Sequence, residues 1–212
     1  MSHADLSSTE PPSGAETAAA PARKRPKPGE RRVQILQALA TMLEQPGADR
    51  ITTAALAARL DVSEAALYRH FASKAQMFEG LIEFIEQSVF TLVNQINERE
   101  SQGGAQAARI VAMLIQFAEK NPGMTRVMVG DALVYENERL QQRMNQFFDK
   151  IEASLRQCLR ETDLASATPT TDAQVRASML TSFVVGRLQR FARSGFKRAP
   201  SEHLEASLAR ML

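Results

Sequence analysis

Residues 51–78 read ITTAALAARLDVSEAALYRHFASKAQMF, and this stretch decides the fold. Leu56, Ala57 and Leu60 make one apolar helical face, which Thr52 or Thr53 can open with a side-chain cap. Ala57 is small where two helices have to approach closely. Asp61 and Val62 follow as a turn, and Ser63 can cap a second helix whose inward residues are Val62, Leu67 and Phe71. The turn position favours glycine, but aspartate tolerates the left-handed conformation better than most residues, so the turn is kept. Glu64, Ala65, Tyr68, Arg69 and His70 are left outside or at the edge. Ser73 and Gln76, three apart, form a capping box for a third helix, and Lys74 in its first turn can reach a phosphate that also meets the helix N-terminus. Two short helices, a tight turn and the start of a long helix are the arrangement that delivers one helix to the major groove of DNA. A plain pair of core helices with solvated polar faces is the rival reading. The small residue, the turn and the caps falling in register favour DNA.

Outward from this stretch, 212 residues with 44% apolar side chains can bury a substantial core, in one small and one larger helical unit. No apolar run approaches the roughly 20 residues that span a bilayer, and the start carries no signal-peptide pattern, so a soluble cytoplasmic protein with no membrane contact is expected. Cys158 lies on an apolar helical stripe and reads as a buried thiol, not a nucleophile. His3, His70 and His203 have no second ligand at metal spacing. No Ser, His and Asp grouping suggests catalysis, and Glu83 and Glu86 read as a solvated helix edge. Neither an enzyme, a metal nor a cofactor is expected. The net charge of +2 is uneven: Arg23, Lys24, Arg25, Lys27, Arg31 and Arg32 stand against Glu30, while Asp5, Glu10 and Glu16 make the preceding residues acidic. The basic segment sits directly before the DNA-binding candidate, where it reads equally as an arm along phosphates or as a solvated linker.

In chain order, residues 1–28 hold almost no bulky apolar side chain and are expected to be a disordered tail. Val33, Ile35, Leu36, Leu39, Ala40 and Leu43 recur at helical spacing over Glu30 to Glu44, giving the first helix of a three-helix head over 29–72, closed by Pro46 and Gly47. The body, 73–212, opens with a helix from Ser73 to about Arg99 whose core stripe is Phe78, Leu81, Ile82, Ile85, Val89, Leu92, Val93 and Ile96. Met77 and Phe84 sit about 90° to 110° off that stripe, beside Ser88 and Thr91, and suggest a groove for another element of this chain or of a partner. Further helices are expected from about Ala105 to Lys120, ended by Asn121-Pro122-Gly123; from Thr125 to Leu133; and from about Asn137 to Thr162, with Leu140, Met144, Phe147, Phe148, Ile151, Leu155, Cys158 and Leu159 as a near coiled-coil seam. Thr171 and Gln174 read as a capping box for a helix to about Arg193, and Ser201 as the cap of a last one. Val175, Met179, Phe183, Leu188 and Phe191 on the first, with Leu204 and Leu208 on the second, are too apolar for a free surface and are read as a dimer interface. The fold expected is all-α.

The YRHFASK run, with a three-helix head before it and an all-helical body behind, resembles the TetR family of dimeric DNA-binding proteins. Residues 51–88, 121–161 and 190–200, in the same order, resemble the nucleoid occlusion factors of that family. That resemblance implies homodimers, more than one per site, on palindromic double-stranded DNA at the nucleoid. Ala65, Tyr68 and Arg69 would lie near bases, Thr52, Thr53 and Lys74 on phosphates, and Ser63, Glu64 and His70 around them. It further implies docking of the C-terminal tail of the tubulin-like division GTPase FtsZ between Phe84 on one side and Met113, Phe117, Lys120 and Asn121 on the other. Two rivals remain: a repressor of the same fold released by a small ligand, and a helical enzyme or adaptor that does not bind nucleic acid. With no Trp and only Tyr68 and Tyr135, aromatic lining for a ligand pocket is thin.

Overall fold

A computed structural model of the chain describes residues 29–45, 50–160 and 168–212, so the expected tail, Pro46 and Gly47, and most of the 163–170 loop lie outside the described residues. The helices run α1 Glu30–Leu43, α2 Thr53–Arg59, α3 Glu64–Tyr68, α4 Lys74–Arg99, α5 Gly103–Lys120, α6 Pro122–Met128, α7 Glu138–Arg160, α8 Pro169–Arg193 and α9 Leu204–Met211, with a 3-10 turn at Asp131–Leu133. No strand occurs among the described residues. The all-α expectation holds.

The caps of the head are local chemistry and fall where the sequence puts them. Thr52 Oγ1 accepts from the Ala55 N–H at 3.1 Å, Ser63 Oγ from Ala66 at 3.3 Å, and Ser73 Oγ from Gln76 at 3.2 Å. Gln76 Oε1 in turn accepts from the Ala72 N–H at 2.8 Å, one residue before the Ser73 cap, a reciprocal bond shifted by one position from the usual capping box. Asp61 takes φ 55°; its N–H donates to the Ala58 carbonyl at 3.2 Å and the Val62 N–H to Ala57 at 3.1 Å. These two bonds form a Schellman closure of α2, with aspartate in the position glycine usually takes.

The body is built around α4 and α5, with α7 and α8 packed over them. Ile82, Ile85, Val89, Ile110, Val111, Leu114, Phe147, Leu155, Leu180 and Leu188 are fully enclosed. Phe147 meets Phe90 and Phe148 edge-on, with ring centroids 5.6 and 5.1 Å apart. Cys158 is buried, as its stripe requires.

Several expectations are corrected by packing that sequence spacing does not encode. Met77 is fully buried, not on an open flank, because the first half of α4 is covered by α1, α6 and α7 as well as α5. Leu92, placed in the core stripe, is 37% exposed further along the same helix. Asn121-Pro122-Gly123 ends α5 but also starts α6, with Pro122 in the first turn, where its missing N–H costs nothing. Thr125 is buried and donates to the Ala118 carbonyl at 2.8 Å. The helix read through to Leu133 instead stops before Gly130, whose φ is 83°. Thr171 and Gln174 are not a capping box: α8 begins earlier, at Pro169, and Gln174 bridges to α7, donating to Glu152 Oε1 at 2.7 Å and accepting from Arg156 at 2.9 Å. Ser201 does not cap α9 with its side chain; its hydroxyl donates to Glu119 Oε1 on α5 at 3.1 Å.

Glu86 is likewise no solvated edge. Arg143 grips it through Nη2 at 2.6 Å and Nε at 3.3 Å, and this hydrogen bonding raises the Arg143 pKa against the opposing effect of burial. Arg139 pairs with Glu79 at 2.6 Å, so α7 is laced to α4 by a short ladder of charge. Where α6 meets α1, a Cβ on Gly123 would fall 2.0 Å from the Ala40 carbonyl oxygen, so only glycine lets α6 lie against α1.

Candidate nucleic-acid and partner interfaces

The recognition helix α3 is anchored through Leu67 and, just past its end, Phe71, each 1% exposed. That anchoring turns Glu64, Ala65, Tyr68 and Arg69 outward, with His70 at the edge; Tyr68 is 45% exposed although it is a large aromatic. An aromatic and a guanidinium presented side by side on a short exposed helix suit contact with base edges and thymine methyls. Ser63 starts the helix as its cap.

Three of the residues expected at phosphates are already occupied to different degrees. Thr52 uses its oxygen as the α2 cap. Thr53 donates to Glu64 Oε2, which ties the start of α2 to the start of α3. Lys74 pairs with Glu136, from the loop before α7, and its ammonium lies 5.7 Å from the Phe78 ring centre. In this structure the lysine is therefore held by a carboxylate, in the way it would be held by a phosphate. In the sequence Arg32 reads only as part of a basic segment. Its guanidinium lies 4.1 Å from the Phe71 ring centre, and its Nη1 donates to the His70 carbonyl at 2.5 Å. The contact spans 38 positions, so no local pattern signals it.

On the body, Phe84 is 49% exposed on α4. Across the adjoining α5, Met113 and Phe117 are half-buried and Lys120 is exposed; Asn121 follows and donates from Nδ2 to the Phe117 carbonyl at 2.7 Å. Half-exposed apolar groups on two helices that pack together, with an exposed lysine at the end of one, have the chemistry to take an apolar peptide segment that carries acidic residues. Leu92 and Gln116 are also exposed on these two helices.

The residues read as a dimer interface divide in two. Leu188, Phe191, Leu204 and Leu208 are buried inside the chain and are corrected to intramolecular packing, Phe191 meeting the Phe196 ring edge-on at 5.1 Å. Val175 and Met179, 52% and 53% exposed, and half-buried Phe183 instead line a shallow groove of about 610 Å³ with Ser178, Ser182 and Met211. Arg187 lies over the Phe183 ring at 4.9 Å.

Among the described residues no group of His, Cys, Asp and Glu could hold a metal ion, and no helix is long and apolar enough to cross a membrane.

A capped three-helix head with an outward-facing second helix, carried on an all-helical body, defines a helix-turn-helix DNA-binding regulator of the TetR class, not an enzyme. Residues 35–81 match the family described as bacterial regulatory proteins, tetR family, and residues 103–211 match the tetracyclin repressor-like, C-terminal domain of the SlmA-like type. The chain belongs to the family of the nucleoid occlusion factor SlmA. It is 51% identical over 177 residues to that factor from Idiomarina loihiensis, covering 83% of this chain and 90% of the relative. It is 52% identical over 181 residues to the factor from Aliivibrio fischeri, covering 84% and 92%. A TetR-like transcriptional regulator from Rhodococcus shares the fold, with a TM-score of 0.69 at 18% identity over 88% of this chain and 97% of that one.

Proposed function

We propose that the chain binds palindromic sites on chromosomal double-stranded DNA as homodimers, more than one to a site, and there engages the C-terminal tail of FtsZ, opposing division-ring assembly over the nucleoid. On this reading its place is the cytoplasm, at the nucleoid. Ala65, Tyr68 and Arg69 read base edges, and the surrounding Thr52, Thr53, Ser63, Glu64, His70 and Lys74 set register on the backbone. Val175, Met179 and Phe183 pair two chains so that two recognition helices address two half-sites. Phe84, Met113, Phe117, Lys120 and Asn121 take the tail. DNA then acts as a scaffold: it gathers several tail-binding grooves, and the local concentration of docking sites rises where chromosome remains.

The observation that carries the reading is the half-exposed Phe84 on the helix that the recognition motif itself launches, in a chain of the nucleoid occlusion family. The test is retention of FtsZ on the immobilised protein with and without genomic DNA, followed by FtsZ assembly measured by light scattering. Retention with suppressed assembly when DNA is present supports the proposal; no retention in either condition overturns it.

A further inference from the structure

The recognition helix has only five residues, too few to hold its own conformation or direction in water. Its aim must come from contacts beyond its own backbone bonds: the buried Leu67 seats it, and its two ends set its direction. The N-terminal end is fixed by the Ser63 cap and by Thr53, which bonds Glu64. The C-terminal end has left the helix by His70, yet the chain turns there into α4, and a small rotation of this corner would swing Tyr68 and Arg69.

Arg32, on the first turn of α1, takes hold of that corner twice. It stacks on Phe71 and donates to the carbonyl of His70, so one planar group fixes both a side chain and the backbone of consecutive residues. Only a guanidinium can stack and donate in its plane at once; an ammonium carries the charge but cannot make both contacts in that geometry. Phe71 is buried, so the ring cannot follow a displaced arginine.

We propose that Arg32 is a positioning residue for sequence recognition, acting through the placement of Ala65, Tyr68 and Arg69 and not by neutralising a phosphate. The inference rests on the DNA-binding reading of the head. The probes are a duplex carrying the palindrome that the wild-type protein enriches from fragmented genomic DNA, and a scrambled duplex of the same composition. Wild-type protein that enriches no sequence defeats the DNA-binding reading itself; the Arg32 variants decide the narrower point.

Arg32→Ala is expected to lose about tenfold in affinity for the palindrome while scrambled-duplex affinity changes by less than about twofold and the salt slope stays the same. Arg32→Lys, which keeps the charge, is expected to restore little of the loss. Equal weakening on both duplexes with the salt slope reduced by about one would mean a phosphate contact and overturn the proposal. Full rescue by lysine, or no loss in either variant, would overturn it as well. If Arg32→Ala fails to fold, Arg32→Lys alone carries the comparison: lost discrimination supports the proposal and retained discrimination rejects it.

Discussion

Replacing Gly123 with alanine tests how head and body are joined. The added Cβ would fall 2.0 Å from the Ala40 carbonyl oxygen, 2.9 Å from its carbon and 3.2 Å from Glu44 Cγ, whereas ordinary contact begins at 3.4 Å. The first two atoms are backbone of α1, so no rotamer change relieves the clash, and α6 must retreat by more than an ångström. Overpacking of this kind costs about 1 to 3 kcal/mol, and with a rigid opposing backbone the upper half of that range applies. For a domain of this size that is a fall in Tm of roughly 4 to 12 °C. Gly80→Ala is the milder comparison, since the nearest atoms to its Cβ are side-chain atoms of Leu36 and Phe71 at 3.3 Å, a few tenths of an ångström short of ordinary contact and with no backbone among them. Thermal melting followed by circular dichroism compares the two. A Gly123→Ala protein that melts within about 1 °C of wild type, or no lower than Gly80→Ala, refutes the close-approach argument.

Much of the head was legible because its decisive interactions span three or four residues. Thr52, Ser63 and Ser73 cap as read, and Asp61 takes the left-handed turn. What failed was burial decided by a second neighbour. Met77 is off the stripe of α4 but is covered by other helices, and Leu188, Phe191, Leu204 and Leu208 are buried within the chain where an intermolecular role was expected. Gln174 and Ser201 have the residue types of caps, yet partners on α7 and α5 take their side chains. Gly123 follows a proline and so reads as a terminator; that it sits under the Ala40 carbonyl is a fact about a helix 83 positions earlier. Of the proposed tail-binding face, the exposure of Phe84 is legible from its angle on α4, while its α5 side is supplied by resemblance alone.

Arg69→Ala should weaken binding to the selected palindrome by about 1 to 3 kcal/mol at fixed salt, read by fluorescence anisotropy, and unchanged affinity would remove it from the base-reading set. Met179→Asp should shift the protein from dimer to monomer on sizing with light scattering without lowering secondary structure, whereas Leu188→Ala should cost the chain itself about 2 to 5 kcal/mol in a denaturant melt; a dimer untouched by Met179→Asp would move the interface elsewhere.

The central claim is that one chain carries two separable surfaces, one for DNA and one for a division protein. Phe84→Ala tests it most directly, with DNA affinity and binding of an FtsZ C-terminal tail peptide measured on the same preparation. The account predicts DNA affinity within about twofold of wild type and tail binding weaker by about tenfold or more, the range expected for truncating a central aromatic contact. Equal loss of both activities would show that α4 had unpacked, and unchanged tail binding would contradict the assignment of this face.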